Sequence, residues 1–213
     1  IIHIDIDPAE IGKNIGADLP LVGDAKLVLQ QMTELAKPMK HDDWIAHIKT
    51  LGGERKYIEP AKGTVNPRVF IDKLAKKMPA NVTVVADVGQ NQIWTCTEYK
   101  FRKEGRLLTS GGMGTMGYSV PAAIGAKMAD NSRATVAICG DGAFQMSFME
   151  LATAVQFGVD IKVVVMTNNR LGMVRELQTN GYHDRQTAVF LDGSPDFIKL
   201  AEAYGIPAMR VYD

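Results

Sequence analysis

The chain has 213 residues, 46% hydrophobic and 23% charged, an ordinary globular composition with material for one good core and part of a second. Lys+Arg and Asp+Glu both total 24, so the formal net charge is zero and the basic footprint of a nucleic-acid binder is missing. No apolar run approaches the roughly 20 residues of a membrane span, so neither nucleic acid nor membrane is an expected partner.

In chain order, Ile1 to Asp7 (IIHIDID) reads as a strand followed by Pro8 and a polar turn. Ala25 to Ala36 carries apolar residues at helical spacing. Residues 1–36 are expected to be the tail of a preceding domain. Residues 37–65, with Pro38, Gly52, Gly53, Pro60 and Gly63, read as a linker holding one short helix around Asp43 to Thr50. Residues 66–213 are expected to form the main domain. Pro67 to Lys77 reads as a helix with proline in its first turn, exposing Lys73, Lys76 and Lys77. Val82 to Val88, Ala134 to Cys139 and Ile161 to Thr167 are near-continuous apolar runs, as strands buried on both faces require. Arg106 to Thr109 is a shorter strand. Helices are expected over Asn91 to Tyr99, Tyr118 to Ala129, Ser147 to Phe157 and Asp196 to Tyr204, with a last strand at Met209 to Tyr212. The opening Ile1 and this closing strand are read as the ends of a piece of a longer protein. Cys96 and Cys139 read as reduced core thiols, and Met146, Met149 and Met166 as core filler. His3, His41, His47 and His183 are scattered without ligand spacing.

Alternating β and α with buried strands predicts an α/β fold, a parallel sheet with helices on both faces. Ligands of such sheets bind beyond the carboxyl ends of the strands, so four loops carry the functional reading. After Cys139 comes Gly140-Asp141-Gly142: the glycines let the backbone turn off the strand, and the helix that follows offers N–H groups to an anion. A carboxylate there implies a hard divalent cation between it and the anion. After Thr167 comes Asn168-Asn169-Arg170-Leu171-Gly172-Met173-Val174, where Asn168 stands 27 positions past Asp141. One αβ unit separates them, so adjacent parallel strands bring both to one edge. After Val88, Gly89-Gln90-Asn91 places amide side chains at a helix start, as phosphate donors or simple caps. After Thr109, Gly112, Gly114 and Gly117 spell G-x-G-x-x-G between a strand and a helix, the dinucleotide fingerprint. That fingerprint wants an acid about 20 positions on, but position 137 is Ala137 and Asp130 comes too early.

Together these loops resemble the thiamine-diphosphate enzymes, whose signature is GDG, an αβ unit, then NN. The stretches LLTSGGMGTMGYSVPAAIGAKMA, NNRLGMV and IIHIDIDPAEIGKN resemble the acetolactate synthase large catalytic subunit in particular. The resemblance covers essentially the whole chain. It implies the thiamine-diphosphate-binding fold, decarboxylation of pyruvate, and carboligation to a second 2-keto acid giving 2-acetolactate. It implies thiamine diphosphate and Mg²⁺ as cofactors, and FAD in the whole protein. Asp141, Asn168 and the Arg170 carbonyl would be the metal ligands. Gln90 would reach the diphosphate, with Gly89, Asn91, Gly140, Gly142, Ala143, Gly172 and Val174 lining the cofactor. Gly114 and Met116 would meet the aminopyrimidine through backbone groups, and Met173 would be the apolar wedge under the cofactor.

The resemblance also places the activating glutamate in an N-terminal domain of a partner subunit. No catalytic residue is therefore expected in this chain, Glu150 included, and the chain alone is expected to be inactive. A homodimer or larger homo-oligomer, a regulatory small subunit, pyruvate and 2-ketobutyrate as substrates, and a cytoplasmic location (an organelle in a eukaryote) follow from the same likeness. Three departures stand out. Aligning on Leu-Gly-Met-Val puts the family's asparagine pair at Thr167 and Asn168, Asn91 replaces a usual histidine, and Leu177 replaces a frequent tryptophan in the substrate pocket beside Met173. The alternatives are a sister 2-keto-acid decarboxylase, pyruvate oxidase or glyoxylate carboligase, a dinucleotide-dependent oxidoreductase, and a non-catalytic dimerisation module.

Overall fold

A computed structural model describes residues 1–52 and 57–212; Gly53, read above as linker, and Asp213 lie outside them. The chain forms two compact units, residues 1–55 and 56–213. In the first, strands β1 (Ile2–Asp5) and β2 (Leu19–Val22) pair in parallel. They are followed by helix α1 (Ala25–Leu35), capped by the Asp24 side chain accepting from the Leu27 N–H, and by α2 (Asp42–Leu51). Strand β2 falls where the sequence suggested only a turn, because a four-residue strand containing Pro20 carries almost no periodic signal.

The second unit opens with α3 (Pro67–Lys77). Pro67 stands at its first position, and the Asn66 side chain accepts from the Arg68 and Val69 N–H groups. Strands β3 (Thr83–Ala86), β4 (Arg106–Thr109), β5 (Thr135–Gly140) and β6 (Lys162–Met166) form one sheet in the order β4-β3-β5-β6, every pair parallel. Between them run α4 (Gln90–Glu98), α5 (Ser119–Ala129), α6 (Asp141–Gln145) and α7 (Leu151–Gln156). After β6 come α8 (Gly172–Gly181) and α9 (Phe197–Ala203).

The apolar runs become intelligible once their side chains are sorted by face. Val84, Val136 and Ile138 turn to one side, where Ile71 and Ala75 of α3 and Trp94 of α4 cover them. Val85, Ala137 and Cys139 turn to the other, against Val120, Ala123 and Ile124 of α5 and Leu151 and Ala154 of α7. Both faces of the central strands β3 and β5 are buried, so these strands run nearly apolar, with Thr83 and Thr135 as the polar exceptions.

Several expectations need correction. The helix predicted over residues 147–157 is broken: α6 starts directly at Asp141, and a single 3₁₀ turn (Phe148–Glu150) precedes α7. Residues 209–212 form no strand; among the described residues they join no ladder, Arg210 pairing only through its side chain with Asp196 at 2.6 Å, and Met209 is largely exposed. An apolar run becomes a strand only when its amides and carbonyls find a ladder. Cys96 is exposed, so only Cys139 is a core thiol. Met146 and Met149 are also exposed and fill no core, whereas Met166 packs against the α3 side of the sheet. Among the described residues no helix is long and apolar enough to cross a membrane.

Ile138 is fully buried on the strand shared between β3 and β6. Ile138→Ala should lower the unfolding free energy by about 2–5 kcal/mol in urea titration; a loss under about 1 kcal/mol would contradict the core described.

Candidate functional site

Strand β4 lies on one side of β3 and β5 on the other, so the order of the sheet reverses between β3 and β5. The connections leaving these two strands diverge and leave a crevice at their carboxyl ends, where parallel α/β sheets hold ligands. A cleft of about 1630 Å³ opens there, lined among others by Gly89, Gln90, Met116, Asp141, Asn168 and Met173. All four loops singled out in the sequence leave the sheet at this edge.

Asp141 is the fixed point on the β5 side. It is 1% exposed, and three backbone amides converge on it. Gly142 N–H donates to its Oδ1 at 2.9 Å, and Asn168 and Asn169 N–H donate to its Oδ2 at 3.0 and 2.6 Å. A buried carboxylate is tolerated only with such partners, each worth about 1.5–3 kcal/mol when the acceptor is charged. The carboxylate thereby holds the loop after β6. A carboxylate has about four acceptor sites, so Oδ1 keeps one for a cation. Asn168 accepts from Arg170 N–H through Oδ1 at 3.0 Å, which fixes its amide in a tight turn. Asn169 sits at φ 55° in the left-handed region, where asparagine is tolerated. Side chains crowd Gly142: a Cβ there would stand 2.7 Å from Leu171 Cδ2 and 3.2 Å from Leu191 Cδ1, so those leucines would have to shift.

A second strap holds the same loop from the far side. Leu171 N–H donates to Val189 C=O and Leu191 N–H to Asn169 C=O, both at 2.9 Å, around an antiparallel bridge between Arg170 and Phe190. Val189 is fully buried. The Arg170 guanidinium lies over the Phe190 ring and pairs with Asp192 at 2.9 Å. That leaves the backbone, not the side chain, as the part of Arg170 available to the crevice. Helix α8 then starts at Gly172, inside what the sequence suggested was loop, and carries Met173, Val174 and Leu177 in its first turns; Leu177 is 63% exposed.

On the β3 side, Gly89 (φ 144°) caps α4, and a Cβ there would meet Asn91 Oδ1 at 2.7 Å. Gln90 lies across Gly172: its Oε1 is 2.1 Å from where a Cβ on Gly172 would be, and its Nε2 donates to Glu176 at 2.9 Å. Asn91 reads in the sequence as a phosphate donor or a helix cap. It is buried, and its Nδ2 donates to the Asp87 and Ile138 carbonyls at 2.9 and 3.1 Å. Those carbonyls fix which end of the amide is nitrogen, so Asn91 ties β3 to β5 instead.

The residue that sequence reasoning missed is Asp87. It is fully buried at the end of β3. Its Oδ1 accepts from Val88 and Gly117 N–H at 2.8 and 3.0 Å, and its Oδ2 from Ser119 N–H at 2.8 Å. An acid inside the apolar run VTVVADV was the available signal. Gly117 and Ser119 open α5, so Asp87 fills the anion position at that helix start. The amides a dinucleotide pyrophosphate would use after G-x-G-x-x-G are therefore already occupied. Cys139 lies close by; burial first, and the Asp87 charge second, push its thiol well above its usual range, so it is neutral and unreactive.

The comparisons agree with this geometry. Residues 87–213 match the family described as thiamine pyrophosphate enzyme, C-terminal TPP binding domain, and residues 1–32 match the central domain of the same enzymes. The chain belongs to the thiamine pyrophosphate enzymes, and its second unit carries their cofactor-binding domain. It is 39% identical over 232 residues to a probable acetolactate synthase large subunit of Methanococcus aeolicus. It is 38% identical over 213 residues to the acetolactate synthase large subunit of Lactococcus lactis subsp. lactis, and 42% identical over 228 residues to the acetolactate synthase of Mycobacterium bovis. Each match covers 99% of this chain but only 36–38% of the relative, so the chain spans well under half the length of these curated relatives.

Asp141→Asn keeps the shape but turns an NH₂ toward backbone N–H donors. It should lower stability by about 1–3 kcal/mol in denaturant titration of the whole protein; an unchanged midpoint would contradict the anchoring role.

Proposed function

We propose that this chain is the diphosphate- and metal-binding part of a catalytic subunit that decarboxylates pyruvate and joins the product to a second 2-keto acid, giving 2-acetolactate. The observation that carries the reading is the buried Asp141, holding by its carboxylate the loop that bears Asn168, at the mouth of a helix-lined crevice. The likeness to relatives named acetolactate synthase over 99% of the chain supports this chemistry over that of the sister enzymes.

Bound thiamine diphosphate supplies an electron sink for loss of carbon dioxide from a 2-keto acid. The donor set fits Mg²⁺, which takes six oxygens and keeps company with phosphate. Asp141, Asn168 and the Arg170 carbonyl would hold the metal, which would in turn hold the diphosphate. Gly140, Gly142 and Ala143 at the start of α6, with Gly89 and Gln90, would wall the diphosphate. Gln90 must then turn from Glu176 to donate to it. The backbone of Gly114 and Met116 would meet the aminopyrimidine, and Met173, with Gly172 and Val174, would fill the space beneath the cofactor. No residue of the chain is assigned the activating proton transfer, so the chain alone would be inactive. The glutamate would come from another domain, across a homodimer or larger assembly. FAD and a regulatory small subunit are proposed for the whole protein, with no residue of this chain assigned to either, and its location would be the cytoplasm. Leu177, small and exposed, should discriminate 2-ketobutyrate from pyruvate weakly, since a methylene-scale difference is worth about 1–3 kcal/mol.

Whole protein incubated with pyruvate, Mg²⁺ and thiamine diphosphate should form acetolactate, and Asp141→Ala should abolish it. Acetaldehyde or acetyl phosphate instead would move the protein to a sister activity, and no cofactor-dependent product would overturn the reading.

A further inference from the structure

The loop between β4 and α5 has two anchors. At its start, Gly114 N–H donates to the Ser110 carbonyl at 3.0 Å and Thr115 N–H to Ser110 Oγ at 3.1 Å. At its end, Gly117 and Ser119 N–H donate to Asp87. Between the anchors lie residues 111–115, all exposed, and Met116, whose Cε approaches the position of a Gly142 Cβ at 3.5 Å. Only the second anchor is built into the sheet. Asp87 N–H donates to Ile138 C=O at 2.8 Å, so its own backbone is locked in the ladder with β5. The carboxylate therefore transmits the position of the sheet to the loop. Its neighbour Asp141 does the same for a different loop, from the adjacent strand. The two carboxylates thus hold two separate walls of one crevice.

Resting on the cofactor reading above, we propose that Asp87 is a positioning residue. It sets the Gly117–Ser119 turn, and so fixes where the Gly114–Met116 backbone meets the pyrimidine end of thiamine diphosphate. The diphosphate end is held mainly around Asp141, and Asp87 bears on it only through the Val88 N–H that precedes Gly89 and Gln90. Asp87 touches neither end. Its influence is felt most by a ligand that carries the pyrimidine ring.

The test compares two probes on the whole protein with Mg²⁺: thiamine diphosphate, and inorganic pyrophosphate, which has the diphosphate alone. Asp87→Asn turns an NH₂ group toward backbone donors and loosens the turn. Calorimetric titration should show thiamine diphosphate binding weakened about tenfold or more, the cost of roughly one lost buried hydrogen bond to a charge. Pyrophosphate competition should weaken clearly less than thiamine diphosphate binding does, because Asp87 reaches the diphosphate wall only through the Val88 N–H beside Gly89 and Gln90. Equal loss of both ligands would make Asp87 a general structural residue and overturn the proposal, as would no loss of either. Gly117→Ala provides a second route if Asp87→Asn does not fold. It strains the same turn (φ 81°, with a Cβ 3.0 Å from Met146 Cβ) without altering the carboxylate. The same selective loss is expected there, and a uniform loss or none would count against the proposal. Failure of the unaltered protein to bind either probe would instead overturn the cofactor site itself.

Discussion

Two carboxylates that water cannot reach organise this molecule. Asp87 and Asp141 stand at the carboxyl ends of adjacent strands, 0% and 1% exposed, and each takes three hydrogen bonds from backbone amides. A buried charge without partners would cost several kcal/mol, so the amides must be where they are. The loops that supply them are rich in glycine and would otherwise have little reason to hold one shape. The charge at the end of each strand thereby becomes a constraint on the loop beside it.

The sheet provides the rest. Parallel strands put their carboxyl ends on one edge, and the order β4-β3-β5-β6 opens the crevice between β3 and β5. Asn91 closes the floor of that crevice by bonding to carbonyls of both strands. The bridge between Arg170 and Phe190, with Val189 buried beneath, secures the outer wall. The proposed diphosphate–metal pair would meet fixed oxygens on one side and a helix start on the other, with Gln90 the side chain that must turn when the ligand arrives.

Much of this was legible in the residues, for identifiable reasons. The buried strands announce themselves because burial on both faces removes polar residues, and α3 because Asn66 and Pro67 are a cap and a helix start. Asp141 and Asn168 were readable because a carboxylate and an amide one αβ unit apart share a sheet edge. Asp87 was not, since its partners lie 30 and 32 positions away and are backbone amides with no side-chain signature. The role of Asn91, readable as phosphate donor or cap, was hidden in a similar way, because its partners are backbone carbonyls. Helix α8 was hidden because it starts on Gly172, a residue that reads as loop. Met146 and Met149 looked like core but face outward, because the helix expected there is broken by a 3₁₀ turn that changes which side of the chain is covered.

The most direct measurement is a crystal structure of the whole protein with thiamine diphosphate and Mg²⁺. The account predicts the metal at about 2.0–2.1 Å, the usual Mg²⁺–oxygen distance, from an oxygen of Asp141 and from the amide oxygen of Asn168, with Asp87 still bonded to Gly117 and Ser119. A cofactor seated elsewhere, or a metal that touches neither Asp141 nor Asn168, would contradict it.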